Sequence, residues 1–408
     1  MTIGLLVAIV AVWAAAFTAV NRRADAVRDA MQRAEPLIVS AQGINTELAR
    51  ADASAAASFL VGGVEAAGPR QQYLDSIDAA MRELSVAAQN GGSVEGASDA
   101  IATISEKVPE YAGLIESARA NNRQGFPIGA AYLRAASALL QDEIFPAAER
   151  LYDATVDAYA DAYADAGAAR DAPLLAFAGI VLLAALVATQ ILLFRRTNRV
   201  FNVPLVLATV VALVLVFMPL TAMSHEHREL ARATDEGYFG VNTIARVRIL
   251  AFRARGDESF ALIARGNGER WYTDFDTVMS AIGSPDDDGL LGAAFEEEPI
   301  DAFSSDLADA LDHYKSAHQS VQETDRAGDF DMAVTLATGD AATSSATAFA
   351  ALDEELKATL DEYAARFERG AGRAEKQLDN QEVWVSVLAI LVALGVVVGL
   401  QQRIREYR

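Results

Sequence analysis

Two apolar runs separated by only eight residues decide most of what this chain can become. Residues 173–194 read PLLAFAGIVLLAALVATQILLF, residues 203–223 read VPLVLATVVALVLVFMPLTAM, and RRTNRVFN lies between them. Each run is long enough to cross a hydrocarbon core of ~30 Å as a helix, which satisfies its own backbone where no water is present. A link this short makes the two spans an antiparallel hairpin. Arg195, Arg196 and Arg199 in the link place residues 195–202 on the cytoplasmic side, because short loops rich in Arg are retained there.

Two further apolar runs lie at the ends, residues 2–20 and 383–400. The tail, residues 401–408, carries Arg403, Arg405 and Arg408 and is assigned to the same side as the link. Four spans in a lipid bilayer follow, with both termini in the cytoplasm. Residues 21–172 and 224–382 then form two extracytoplasmic segments, and the membrane is the plasma membrane. The first run has no basic residue before it, while Arg22 and Arg23 follow it on the outer side. A cleaved signal peptide and a start placed too late are the alternatives to a retained span.

Composition excludes several classes. The chain has 408 residues, a net charge of −22 and no cysteine. The charge argues against a nucleic-acid partner, which needs a basic face. Without cysteine there is no disulfide, thiolate metal site or cysteine nucleophile. Residues 21–172 carry a net −9 and residues 224–382 a net −18, so the second outer segment presents the more anionic surface.

The chain also reads as a duplication. At a shift of 203, Arg50 falls on Arg253, Tyr111 on Tyr314, Arg123 on Arg326 and Gly125 on Gly328. The shift becomes 199 for Tyr73 and Tyr272, and 204 for Tyr159 and Tyr363. Each half is therefore span, outer domain, span, in a parallel repeat. Within the first outer domain, helices are expected from 22 to 62, 71 to 89, 97 to 121 and 127 to 166, punctuated by Gly and Pro. The second repeats the plan from 221 to 265, 269 to 282, 300 to 325 and 330 onward, with SPDDDGLLGAAFEEEP as a polar excursion. No strand pattern appears. The fold class is all-α: four transmembrane helices and two duplicated four-helix bundles on helical stalks.

Chemistry is sparse. His225 and His227 lie two apart and so face away from each other on a helix, unlike zinc-protease spacing. The runs 286–288 and 296–298 are acidic but lack the spaced ligands of a calcium loop. There is no nucleophile elbow or phosphate loop, and nothing calls for a metal, a cofactor or a catalytic residue. Arg246, Arg248, Arg253 and Arg255 recur along one helix, suited either to a carboxylate ligand or to salt bridges with neighbouring helices. Arg50 and Arg253, equivalent in the repeat, are expected to make one shared structural pair. The tip loops offer a partner surface in Asn121, Arg123, Phe126, Arg326 and Phe330, with Trp271 beside the other tip turn. Alternatively, Tyr73 and Tyr272 and the tip Phe side chains plug the bundle ends.

The stretches ELARADASAAASFL, EYAGLIESARANNRQGFPIGAAYLRAAS and DEIFPAAERLY resemble the GlnX-type family of four-span actinobacterial membrane proteins, encoded beside a glutamate-binding lipoprotein and the serine/threonine kinase G. The resemblance implies a relay from an extracytoplasmic solute-binding lipoprotein to a cytosolic serine/threonine kinase. Arg195, Arg196, Arg199, Arg403 and Arg405 are the output residues in that reading, although topology alone also explains them. Large outer domains with only two eight-residue inner segments describe a receptor that borrows its output, not an enzyme. Two rivals stay open, a direct small-molecule sensor and a structural envelope scaffold. A homodimer is also left open.

Overall fold

The computed structural model describes residues 2–29, 35–61, 67–167, 171–197, 202–232, 238–285, 289–297, 301–378 and 380–405. Its helices follow in order: α1 (Thr2–Asp29), α2 (Glu35–Val61), α3 (Ala67–Asn90), α4 (Ala97–Arg123), α5 (Ile128–Leu139), α6 (Phe145–Gly167), α7 (Asp171–Thr197) and α8 (Val203–Arg232). Then come α9 (Tyr238–Ile263), α10 (Glu269–Ile282), α11 (Leu290–Glu297), α12 (Asp301–Arg326), α13 (Phe330–Thr338), α14 (Ser345–Leu378) and α15 (Gln381–Arg405). No strand occurs among the described residues. The all-α expectation holds, with four helices long and apolar enough to cross a membrane: Thr2–Arg22, Pro173–Arg195, Val203–Thr221 and Gln381–Gln402.

The chain divides into two compact units. The membrane unit packs α1, α7, α8 and α15 into a four-helix bundle. Leu5, Ile9, Val12 and Ala16 recur every three or four residues on α1 and are buried, as are Leu175, Leu182 and Leu186 on α7. The opposite faces, including Ile180, Phe217 and Ile390, are bare and apolar, as lipid-facing surfaces must be. Small residues set the spacing of α8 and α15: a Cβ on Gly395 would come within 2.9 Å of the Ala208 side chain. Several polar side chains in the bundle find partners within it. Gln190 Nε2 donates to Thr209 Oγ1 at 2.7 Å, and Trp13 Nε1 donates to Ser386 Oγ at 3.1 Å.

The large unit contains residues 33–159 and 234–367. One core gathers side chains of α2, α3, α4, α5 and α6, among them Leu48, Ile104, Tyr111, Leu133 and Leu151. A second gathers α9, α10, α11, α12 and α14 around Ile244, Phe252, Phe275, Tyr314 and Leu356. The cores are not separate. Phe260 of α9 belongs to the first, and Ala49 and Ala53 of α2 belong to the second. Helices α2 and α9 lie side by side at the seam, and residues 51–57 and 254–262 are buried at every position. Alanine suits a helix surrounded on all sides, because its short side chain lets neighbours approach closely.

Several boundaries differ from expectation. The long helix expected over 127–166 contains a π-helical turn, Leu140–Ile144, just before Pro146. Proline has no N–H to offer the preceding turn and its ring crowds the carbonyl there, so the backbone widens locally. Between α13 and α14 the chain breaks outright, and Ser344 caps α14 with its Oγ accepting from Thr347 N at 3.2 Å. The excursion SPDDDGLLGAAFEEEP is more than a polar loop. Its centre is α11, whose Leu291, Ala294 and Phe295 enter the second core. Residues 286–288 and the continuity of the long rods at 30–34 and 233–237 lie outside the described residues.

Candidate functional site: a charged seam in the large unit

At one end of the large unit the chain turns from α4 to α5, from α9 to α10 and from α12 to α13. Gly125, Gly266 and Gly328 sit there at φ of 72°, 83° and 85°, the left-handed conformation that closes helices. Asn121 bonds back into its own helix, Nδ2 to Ser117 O at 2.8 Å, and Asn122 Nδ2 reaches Phe59 O at 2.8 Å. Arg123 and Phe126 are exposed, Phe126 by 52%. Arg326 is tied to Glu269 at 2.8 Å and lies over the Tyr272 ring. Phe330 is half-buried under Arg265, whose guanidinium is 4.7 Å from the ring centroid. Tyr73 and Tyr272 are buried plugs, as one of the two sequence readings has it. Trp271 is part of the seam, stacked on Phe260 with ring centroids 6.2 Å apart.

The interior of the seam holds charge. In α2, Asp52 is buried and accepts from Ser137 Oγ at 2.7 Å and Tyr111 Oη at 3.2 Å. Burial pushes its carboxyl up to about 6, only partly offset by the Ser137 and Tyr111 hydroxyls. In α9, Glu258 is fully buried and receives Arg255 Nη1, Ser345 Oγ at 2.8 Å and His318 Nδ1 at 2.7 Å. Burial raises the Glu258 carboxyl, but the Arg255 charge and the His318 and Ser345 bonds outweigh it and leave it below the usual range. An ionised Glu258 requires the imidazole to donate from Nδ1. The ring is clamped by Phe275, stacked at 3.4 Å. Arg255 also donates from Nη2 to Ala337 O at 2.6 Å, so every part of this cluster except His318 Nε2 has a partner.

The arginines expected to recur along α9 separate by role. Arg248 and Arg255 are buried in ion pairs, Arg248 Nε with Asp353 Oδ1 at 2.6 Å and Arg255 with Glu258. Arg246 and Arg253 are exposed. The shared pair expected for Arg50 and Arg253 is absent among the described residues. Arg50 bonds Glu47 at 2.9 Å and reaches Asp353 at 3.6 Å, whereas Arg253 makes no ion pair among the described residues. Arg253 lines a cleft of about 220 Å³ between α5 with its π-turn and α9–α10, together with Arg134, Gln141, Asp142, Asp257 and Arg270.

Sequence reasoning missed Asp52, Asp257, Glu258 and His318 entirely. The one available signal was an acid in an alanine run, ADASAAA, where nothing explains a charge on a buried helix. Of the output residues, Arg195 is exposed at the end of α7, and the side chains of Arg196, Arg199, Arg403 and Arg405 lie outside the described residues. So do the side chains of His225 and His227. No group of three or more His, Asp or Glu able to hold a metal occurs among the described residues.

These features define a helical, multi-pass membrane protein whose bulk is a helical unit with a charged interior. Residues 26–164 match the family model described as an actinobacterial sensor domain. The match spans α2 to α5 and most of α6, the segment that carries Asp52 and the tip residues Arg123 and Phe126. No curated protein and no solved structure matches the chain. Signal sensing is the coarse function that this similarity supports.

Proposed function

We propose that the chain is a transmembrane signal transducer that relays the state of an extracytoplasmic, amino-acid-binding lipoprotein specific for glutamate or aspartate to a cytosolic serine/threonine kinase controlling carbon and nitrogen metabolism. The observation that carries this reading is the sensor-domain match over residues 26–164 in a chain with four membrane spans. Both termini and residues 195–202 lie in the cytoplasm, and the large unit lies outside. The two halves descend from one duplicated ancestor. The lipoprotein docks where Asn121, Arg123, Phe126, Trp271, Arg326 and Phe330 surround the turns, and the exposed ring of Phe126 beside Arg123 is the kind of surface that anchors a partner. Docking shifts the long helices, and Arg195, Arg196, Arg199, Arg403 and Arg405 present the change to the kinase. The chain itself performs no reaction.

The test places single cysteines in residues 195–202 and 401–408 of the full chain in vesicles. Adding the amino-acid-loaded lipoprotein is expected to change the rate of disulfide crosslinking between the two segments. An unchanged rate defeats the relay.

A further inference from the structure

The cleft between α5 and α9–α10 is unlike an ordinary surface groove in its chemistry. Three cations, Arg134, Arg253 and Arg270, and three carboxylates, Asp142, Asp257 and Asp274, converge on about 220 Å³. That is far more than the ~10–15 Å³ a single water needs. Opposite charges this close normally pair. Arg270 does, with Asp274 at 3.7 Å, but Arg134 and Arg253 form no ion pair among the described residues. Two cations, Arg134 and Arg253, and two carboxylates, Asp142 and Asp257, are left outside any ion pair among the described residues.

It also holds an unsatisfied acid. Asp257 is only 7% exposed, lines the cleft, and its Oδ2 has no hydrogen-bond partner. A buried carboxylate oxygen without a donor is costly, and such groups persist where something else supplies the partner. Burial pushes this carboxyl up to about 7, with Arg253 pulling the other way. A second pocket of about 20 Å³, lined by Asp52, Phe252 and Gly256 among others, shares Gln141, Arg253, Asp257 and Phe260 with the cleft. Gly256 is buried in the middle of α9, where glycine costs roughly 0.5–1 kcal/mol against alanine. A Cβ there would meet nothing within 4 Å, so packing does not explain the glycine. It leaves space open. Phe260 and Trp271 supply an apolar wall.

A simple anion would be repelled by Asp257, and a simple cation by Arg134 and Arg253. A molecule carrying both charges can pair with the arginines and with the carboxylates, Asp142 included. We propose that this cleft binds a small zwitterion of amino-acid size, with its carboxylate on Arg253 and Arg134 and its ammonium group on Asp257. Paired charge-assisted bonds supply the affinity and Gly256 the room. The ligand joins α5 of the first half to α9 of the second, so occupancy tightens the seam on which both cores depend. The site is independent of the lipoprotein relay: a chain that binds the ligand yet never docks a partner keeps the site and loses the relay.

The experiment uses the full chain in lipid nanodiscs and isothermal titration with each of the twenty common L-amino acids. Each amino acid is run beside its decarboxylated amine and its deaminated acid. At least one amino acid is expected to bind, with both analogues weaker by ~tenfold or more. R253Q and D257N should each weaken binding by a similar factor. Arg253 is exposed, so R253Q keeps the fold and secures the test if D257N does not express. Gly256→Leu should weaken binding by filling the adjoining pocket that shares Arg253 and Asp257 with the cleft. The inference is overturned if no amino acid binds at ~1 mM, if either analogue matches its parent, or if R253Q binds like the native chain.

Discussion

Shift the first half of the large unit onto the second by 203 residues and Asp52 falls on Arg255. Both sit in the middle of a helix buried on all sides, and the two places make a polar interior in opposite ways. Asp52 is bonded by two hydroxyls and by no cation, and burial lifts its carboxyl to about 6 against the pull of those hydroxyls. Arg255 has a full charge and is locked to Glu258, with His318 and Ser345 completing the set. The first arrangement responds to acidity over a range near 6 and tolerates loss of a partner. The second stays ionised but depends on every member. Tyr111 and Tyr314, which coincide at the same shift, show the same divergence. Tyr111 donates to Asp52, while the hydroxyl of Tyr314 is buried with no acceptor.

Four measurements sharpen or break that contrast. The largest effect is expected for Glu258→Ala, which leaves Arg255 buried without its counter-ion. It should cost about 3–5 kcal/mol, seen as a large fall in the thermal midpoint of the large unit. A fall no larger than that of a surface variant would show that the cluster is solvated. Next comes pH. The Asp52 carboxyl is raised from 3.8 to about 6 in the folded chain, so the folded state binds the proton more tightly than the unfolded one. The stability it confers is fully present below pH about 4 and is lost as pH rises through about 6. Two pKa units amount to roughly 3 kcal/mol. Asp52→Asn should remove that share of the slope in denaturation curves, whereas a slope equal to the native one would place the titration elsewhere. Tyr111→Phe should then cost about 1 kcal/mol. Tyr314→Phe should cost nothing or stabilise slightly, and equal losses would erase the distinction. The smallest change belongs to Arg326→Ala at the exposed end, where the Glu269 pair is worth about 0.2–1 kcal/mol and should fade with added salt.

How much of this was legible in the residues follows from where each signal lives. The spans were plain because apolar length alone fixes them, and their ends agree within a few residues with the observed helices. The turns at Gly125, Gly266 and Gly328 were plain because a left-handed backbone selects glycine. Helix α11 was hidden by the acidic runs on either side of LLGAAF, which read as a solvated loop although the apolar centre is core. The π-turn was hidden because the apolar pattern on either side of Pro146 reads as one continuous helix over 127–166. The seam was the deepest loss. A helix enclosed by neighbours has no polar face, so α2 and α9 lack the periodicity that would have marked them as central. Among 56 acidic residues nothing local distinguishes Asp257 or Glu258 from a solvated one. Trp271, read from its neighbours as a partner residue beside a tip turn, also lines the cleft.

The interleaving of α2 with α9 has a consequence for synthesis. Phe260 closes the core of the first half, and Ala49 and Ala53 line that of the second, yet these residues leave the ribosome far apart in time. While the nascent chain threads its middle hairpin into the bilayer, α2 must wait with one flank uncovered until α9 arrives. Such a wait exposes sticky surface to attendant chaperones, and a gene split at its midpoint would yield two products that mature only together.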